Sequence, residues 1–453
     1  MVKKKLRQFI KVFYVLPFVI GFYAYLSDSY YITTGSALEA AYNAILLYIG
    51  RFVDPVGEVS ILLEFARWFA LSASISGILW GATSLGRELA NGLRASMAQS
   101  CVVYGDSEYA KHLVRNNKAI ASNKFLNKAK RHAILFNTDA ENIEFYIKHA
   151  AEYMTDEKTV AIMLNGVVPY SLNVKNIVVF SMAEITARLY WKNNPVTKNE
   201  RIAIIGSGDL GQELLTFGLT FNIFSNRQCI EYHIWDNQTP YCGMRPEINK
   251  IESDKIIFHE CDWREDFLSQ GRFDRIILAL ETTENLSGLS QIMCYSVCHD
   301  IHVYLKDSDC ISLFTSTNAN INVFGTAAEI STYELIFKEA LNEKAKRLHA
   351  QYYEKYPNIG TWEDLDGFYK RSNISAADFA DTLHRLKSMG TTDEALAELE
   401  HIRWCRFYYL NNWSYAPTRD NANKKHNMLI PYADLPEDEK KKDLDNALTL
   451  LNL

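Results

Sequence analysis

The densest collection of binding chemistry in this 453-residue chain lies between Glu398 and Tyr432. Trp404, Trp413, Tyr415 and Tyr432 offer flat faces on which a base can stack. Arg403, Arg419, Lys425 and His426 offer charge-assisted hydrogen bonds to phosphate. Glu398 or Glu400 can accept from a ribose hydroxyl or an exocyclic amine. The set suits a nucleotide-like ligand. The competing reading is a small helical module with tryptophans in its core and Glu–Arg pairs on its surface.

A second set precedes it. Arg201–Ile205 is an apolar strand, and Gly206-Ser-Gly208-Asp-Leu-Gly211 then opens a helix. In this spacing the first two glycines allow a tight turn and close phosphate approach, and the third allows helix-to-strand packing. Asp236, at the end of the strand Ile230–Trp235, is placed for ribose hydroxyls. NAD or another adenine nucleotide is the cofactor that fits; an empty Rossmann unit fits equally, since fold does not fix ligand. An earlier turn, Gly105 to Ala110, carries Ser107 and Ala110 where glycines would stand, and reads as structural. His233 and His259 have no partner at a recognisable spacing, so no catalytic residue is assigned and the chain reads as a non-enzyme. Eight cysteines include no CxxC pair and no accompanying His cluster. They read as buried reduced thiols, with no metal site.

These sets need elements to hold them. Apolar runs at Cys101–Gly105, 133–136, 160–164 and 177–180, then at 201–205, 230–235, 255–258, 275–280, 302–305 and 322–324, alternate with helical stretches. That alternation predicts two parallel α/β units, at 97–196 and 197–328. From Ala327 to about Tyr353 the pattern reads as helix, opening a helical module over 329–453. The net charge of −6 gives no basic footprint for nucleic acid.

Residues 1–96 read as a membrane module, with spans at about 9–27 and 68–86. Lys3, Lys4, Lys5, Arg7 and Lys11 before the first span, and Arg87 and Arg94 after the second, place both termini in the cytoplasm of a multi-pass inner-membrane protein. Between the spans, Ala37–Gly50 is too short to cross and reads either as a re-entrant helix or as a surface-lying one. No TVGYG-like filter follows it; the chain continues Gly50-Arg-Phe-Val-Asp-Pro55. Ala73, Gly77 and Gly81 form a small-xxx-small stripe suited to oligomerisation. Ser72, Ser76 and Thr83 either line a polar path or bond within their helix.

Two spans followed by paired α/β units with Gly206-x-Gly208-x-x-Gly211 and Asp236 resemble the regulator-of-potassium-conductance (RCK, TrkA-N type) proteins. The run Glu398-x-Glu400-His401-x-Arg403-Trp404, with Trp413-x-Tyr415-x-Pro417-x-Arg419 and Lys424-x-His426-x-x-Leu429-x-Pro431-Tyr432, is similar to the ryanodine-receptor-repeat (RyR) domain. Ala416 departs from that family's usual glycine. The combination resembles membrane effectors of nucleotide-signalled antiviral defence, including those accompanying type III CRISPR systems. The resemblance implies a membrane α-helical module joined to Rossmann-like units and a small all-α RyR domain. It further implies a homo-oligomer in the lipid bilayer, gated by a signalling nucleotide. An NAD- or ATP-regulated channel or transport regulator of the RCK type is the alternative.

Overall fold

The computed structural model describes residues 2–453 except 28–35, 55–58, 96–100, 118, 154–157, 167–175, 207, 236–240, 296–299, 315–319 and 356. The chain divides into two compact units, Met1–Arg94 and Ala95–Leu453.

In the first unit, α1 (Val2–Leu26) packs along α2 (Ala37–Leu46), and α3 runs from Ile61 to Ala95. Ile61–Leu79 is long and apolar enough to cross a bilayer, seven residues upstream of the expected 68–86. The described apolar part of α1, Val12–Leu26, is shorter. Pro17 lies inside α1 and cannot donate to the helix ladder. One residue on, the rung from Phe18 N–H to the Tyr14 carbonyl is bridged by a side chain. The Tyr48 hydroxyl accepts from Phe18 N–H at 3.0 Å and donates to the Tyr14 carbonyl at 2.5 Å. A hydroxyl inserted beside a proline keeps the backbone satisfied where an apolar surrounding supplies no partner.

The small-residue stripe on α3 is used inside this chain. Ala66, Ala70 and Ala73 are fully buried, and Gly77 faces the Tyr14 ring. Within this chain the stripe as far as Gly77 is therefore covered, at Gly77 by the Tyr14 side chain of α1; the side chain at position 81 lies outside the description. Ser72 and Ser76 donate back to the carbonyls of Trp68 and Ala73, both at 2.8 Å, and Ser76 Oγ also pairs with the Tyr14 hydroxyl of α1 at 3.3 Å.

The second unit holds two parallel sheets. The first has order β2-β1-β3-β4-β5: β1 Cys101–Tyr104, β2 Ile120–Ala121, β3 Arg131–Ile134, β4 Thr159–Met163 and β5 Ile177–Phe180. The second has order β11-β10-β9-β6-β7-β8: β6 Arg201–Ile205, β7 Glu231–Trp235, β8 Lys255–His259, β9 Arg275–Leu278, β10 Asp300–Tyr304 and β11 Asn320–Phe324. The second order is that of a Rossmann dinucleotide fold; the first follows the other common doubly wound order. The two-residue β2 is too short to show in apolar patterning.

Helix α4 (Glu108–Asn117) follows β1, and α5 (Asp139–Tyr153) follows β3. Helix α6 (Met182–Asn193) serves both sheets: Met182 and Ile185 enter the first core, Ala183, Ala187, Tyr190 and Trp191 the second. Helix α7 (Asp209–Phe221) follows β6, and α8 (Thr282–Tyr295) follows β9.

The expected continuous helix from Ala327 is instead broken. Thr326 and Thr332 each cap a single helical turn, Ala327–Ile330 and Tyr333–Ile336, and Glu339 adopts a left-handed φ of 48°. These turns pack back on the first sheet's core, and Ser331 donates to the Tyr109 carbonyl at 2.7 Å. Only then come α9 (Glu343–Lys355), α10 (Gly367–Ser388), α11 (Asp393–Leu410) and α12 (Glu437–Leu450). Two buried arginines join the helices to the sheets. Arg188 on α6 donates to Asp378 at 2.7 and 3.0 Å, and Arg406 on α11 donates to Asp254 at 2.7 Å and the Leu219 carbonyl at 2.8 Å.

Candidate functional site

The C-terminal cluster divides when folded. A pocket of about 370 Å³ is lined by Trp404, Tyr408, Arg419 and His426, with Lys442 and Asn446 from α12. Trp404 and Tyr408 stand with ring centroids 4.2 Å apart, and His426 meets Trp404 edge-on at 4.9 Å. This gives an aromatic floor under a rim of mixed charge, where Arg419 and Lys442 stand with Glu400, Glu439 and Asp443 and Lys442 pairs with Glu439 at 2.6 Å.

His426 is not a cation here. Burial, then the Arg419 charge, lower its pKa to about 4. Its Nδ1 accepts from Met428 N–H at 3.1 Å, which leaves Nε2 as the proton-bearing atom. It offers a ligand a neutral hydrogen bond, not the charge-assisted one that the residue type suggests.

Arg403 is withdrawn from any ligand, and Glu400, although it lines the pocket, is 4% exposed and held by that arginine. Arg403 is 1% exposed, pairs with both Glu400 oxygens at 2.7 Å and donates to Ser375 Oγ at 2.9 Å. Burial raises the Glu400 pKa, against the pull of that arginine. Glu398, the other acidic candidate, accepts from Asn226 Nδ2 at 3.0 Å. Trp413 is buried and stacks on Phe368 at 5.4 Å, facing a different cleft. Tyr415 is exposed on the short strand β12 (Ser414–Tyr415) and does not line the pocket. Lys425 on β13 (Lys425–His426) donates to Ser414 Oγ at 2.6 Å, in a shallow groove with Ala416 and Arg419. Tyr432 packs on His401 at 5.9 Å, outside the lining.

The sequence reading missed Tyr408 and the α12 face. Glu439, Lys442, Asp443 and Asn446 have helical i, i+3, i+4, i+7 spacing; that periodicity was the available signal, obscured by the run of charges around it. Asp443 holds His401 through Nδ1 at 3.0 Å. Burial lowers the His401 pKa, but Asp443 and its other partners outweigh that and raise it to about 10. With Cys405 Sγ at 3.4 Å from Nε2, the group has the outline of a Cys–His–Asp triad. Nε2 also lies 2.8 Å from the Ile430 carbonyl. An imidazole whose Nε2 proton is held by a carbonyl is a poor base for the thiol.

The glycine turns meet across a second cleft, of about 510 Å³, at the carboxyl ends of both sheets. Gly206 has φ +104°, and a Cβ on Gly211 would fall 1.8 Å from the Gly206 carbonyl oxygen, so both glycines are required by the packing. Gly208 faces open space and caps α7 without a side chain. In the first turn Gly105 has φ +109°, but Ser107 fills its helix terminus, donating to the Leu135 carbonyl at 2.5 Å and accepting from Ala110 N–H at 3.2 Å. The lining carries Asp106, Glu108, Asp209, Glu281 and Glu284 against Lys306. Burial and the nearby Asp139 raise the Asp209 pKa. Asp236 lies outside the described residues.

No group of acids, histidines and cysteines suited to a metal occurs among the described residues. The described cysteines are free thiols, but only Cys101 is buried, and Cys242 and Cys294 are exposed. Cysteine's small apolar side chain favours burial without requiring it; Cys298 lies outside the description.

Residues 382–453 match the RyR domain family model, so the C-terminal module carries an RyR domain. No curated protein matches the chain. Among solved structures, the chain is similar to GsuK bound to ADP (14% identity, TM-score 0.36, covering 72% of this chain and 96% of that one). It is also similar to a shikimate dehydrogenase in complex with NADP+ (12%, 0.30, 51% and 86%) and to the apo form of D-lactate dehydrogenase from Escherichia coli (13%, 0.24, 54% and 96%).

Proposed function

We propose that this protein is a nucleotide-gated membrane effector: a signalling nucleotide binds the α/β and RyR body in the cytoplasm, and an oligomeric membrane module then opens or disrupts the bilayer. One observation carries the reading. The same chain holds an apolar helix of bilayer length, Ile61–Leu79, and an RyR pocket with an aromatic floor and the cations Arg419 and Lys442. Along α3, Ile61, Phe65, Trp68 and Ile78 expose more than half their surface, as lipid-facing side chains do. In this reading α1 is the second span, both termini are cytoplasmic, and the protein acts by binding without turning its ligand over. Antiphage defence is the setting that the domain combination suggests.

Gating needs a ligand that binds the open state more tightly than the closed one. The test is dye release from vesicles that contain the full chain. The probes are cyclic oligoadenylates, ADP-ribose, adenosyl-nucleotide conjugates, ATP and NAD+. At least one probe should cause release, and Arg419→Ala should weaken its action about tenfold or more, the worth of one charge-assisted hydrogen bond. No release with any probe overturns the proposal. A second reading, an NAD- or ATP-regulated channel of the RCK type, is favoured by the open turn at Gly208. It requires Gly208→Glu to abolish the response and Arg419→Ala to spare it.

A further inference from the structure

A third cleft, of about 980 Å³, is walled by α7, the start of α10, the loop carrying Met244 and Arg245, and the Asn411–Trp413 turn. That volume is at the upper end of small-molecule sites and larger than either pocket above. Arg245, Arg371 and Lys424 reach it from three separate segments. Arg245 is fixed by lying 4.0 Å over the Tyr241 ring. The Phe368 and Trp413 rings, stacked at 26°, form an apolar wall, and Tyr369 beside them is 37% exposed.

Asn412 is the unexplained residue. It holds a left-handed φ of 63° and donates through Nδ2 to the Met244 carbonyl at 2.8 Å. Its Oδ1 is buried with no hydrogen-bond partner. A buried unpaired acceptor is costly and uncommon in a folded protein, and an N–H donor from a ligand would satisfy it. Glu213, on the α7 wall, has a pKa raised to about 7 by burial and by Glu184 on α6 and Asp209 on its own helix, against the pull of Arg371 and Arg245. Near neutral pH it is partly protonated, so it cancels less of the arginines' charge than a surface glutamate would. Asp366 is occupied as the cap of α10, accepting from Tyr369 N–H at 2.9 Å.

We propose that this cleft is a binding site for a phosphorylated adenine nucleoside, distinct from the RyR pocket. Arg245 and Arg371 take the phosphate and the Phe368–Trp413 wall takes the base, and a turn of the Asn412 side chain on binding brings its Oδ1, closed off in the free protein, to the exocyclic amine. Asn165 and Gly166 of the first α/β unit also line the cleft, so a bound ligand touches both α/β units and the RyR domain. Occupancy therefore stabilises all three together.

The test is equilibrium dialysis of the detergent-solubilised full chain against ATP, NAD+ and linear diadenylate, with adenosine and inorganic phosphate as separate arms. At least one adenylate should bind more tightly than adenosine or phosphate alone. Arg371→Glu and Asn412→Gly should each weaken it tenfold or more, with glycine retaining the left-handed backbone. Arg419→Ala should remove only what binds at the RyR pocket and keep the binding that Arg371→Glu weakens. The melting temperature without ligand shows whether each variant folds; if Arg371→Glu does not, Arg245→Gln takes its place. Adenylate binding that survives these variants, that is lost in Arg419→Ala alone, or that is absent for every probe overturns the proposal. Binding at the cleft with no vesicle release would leave this site standing and remove the gating function; release that depends on Arg419 but not Arg371 would do the reverse.

Discussion

Gly105 and Gly206 stand at the same point of two parallel sheets, each with a left-handed φ just after a buried strand, yet the turns that follow differ. In the first, the Ser107 hydroxyl fills the helix terminus and links it to the Leu135 carbonyl. In the second, Gly208 leaves the terminus of α7 open, and Gly211 lets the helix lie against the Gly206 carbonyl. Among the described residues, the first turn has a side-chain cap and the second has none; an uncapped helix terminus is where an anion would be received. The open turn is nevertheless set among carboxylates, which act against bare phosphate. The cleft walled by α7 and α10 sets Arg245, Arg371 and Lys424 against Asp209, Glu213 and Asp366, a balance that the open turn lacks.

The sharpest way to break the comparison is at its tightest point. Gly211→Ala should destabilise the second α/β unit by about 3 kcal/mol or more, because the new methyl group meets backbone that cannot yield. Ala110→Gly, the matching exchange in the first turn, should cost about 1 kcal/mol. Urea unfolding of the solubilised chain measures both, and equal losses would mean that the turns are built alike.

Exchanging the caps tests the next level. Ser107→Ala should cost about 1 kcal/mol through the lost cap. Gly208→Ser, into open space at φ −60°, should change stability by less than about 0.5 kcal/mol. If the second turn does bind nucleotide, that serine should also weaken ATP or NAD+ binding by occupying the same N–H groups. A Gly208→Ser variant that unfolds would show the terminus to be closed after all.

The smallest effect is in acid, where the two sheets should behave alike. His132 and His233 are both held neutral, with pKa values lowered from 6.5 to about 4 by burial, for His132 also by Lys158 and for His233 also by Arg201 and His259. The unfolded chain takes up protons below about pH 6.5 and the folded chain does not until about pH 4. Stability should therefore fall as the pH drops through that window. His401 has the opposite sign. Its raised pKa stabilises the RyR domain fully below pH 6.5, a contribution lost as the pH rises toward 10. Melting temperatures from pH 4 to 10, with His132→Gln and Asp443→Asn, should separate the two limbs. Limbs that do not respond to these variants would refute the assignments.

Periodicity and glycine spacing made much of the α/β body legible. Ile177–Phe180 and Arg201–Ile205 have the bounds that their apolar runs imply; for Arg201–Ile205, in the middle of its sheet, the reason is that a strand buried on both faces must be apolar along its length. The break at Ser331 was not legible, since no proline or glycine marks it and the threonine caps act through backbone geometry. The RyR motif was legible as a motif, but its residues were not legible as a pocket. Arg403 and Arg419 are alike in sequence. One makes three hydrogen bonds inside the core, two to Glu400 and one to Ser375, while the other stands at the rim.

By itself, then, the sequence determined what is local: strand and helix periods, the glycines that only a tight turn requires, and the apolar length of α3. Only the tertiary structure decided which polar groups find partners. It bound Tyr48 into the rung beside Pro17, set Gly77 against the Tyr14 ring, neutralised His426 and left Asn412 Oδ1 without a donor. Each of these depends on groups far apart in the chain, and desolvation, which sets their charge and availability, exists only once the chain has closed around them.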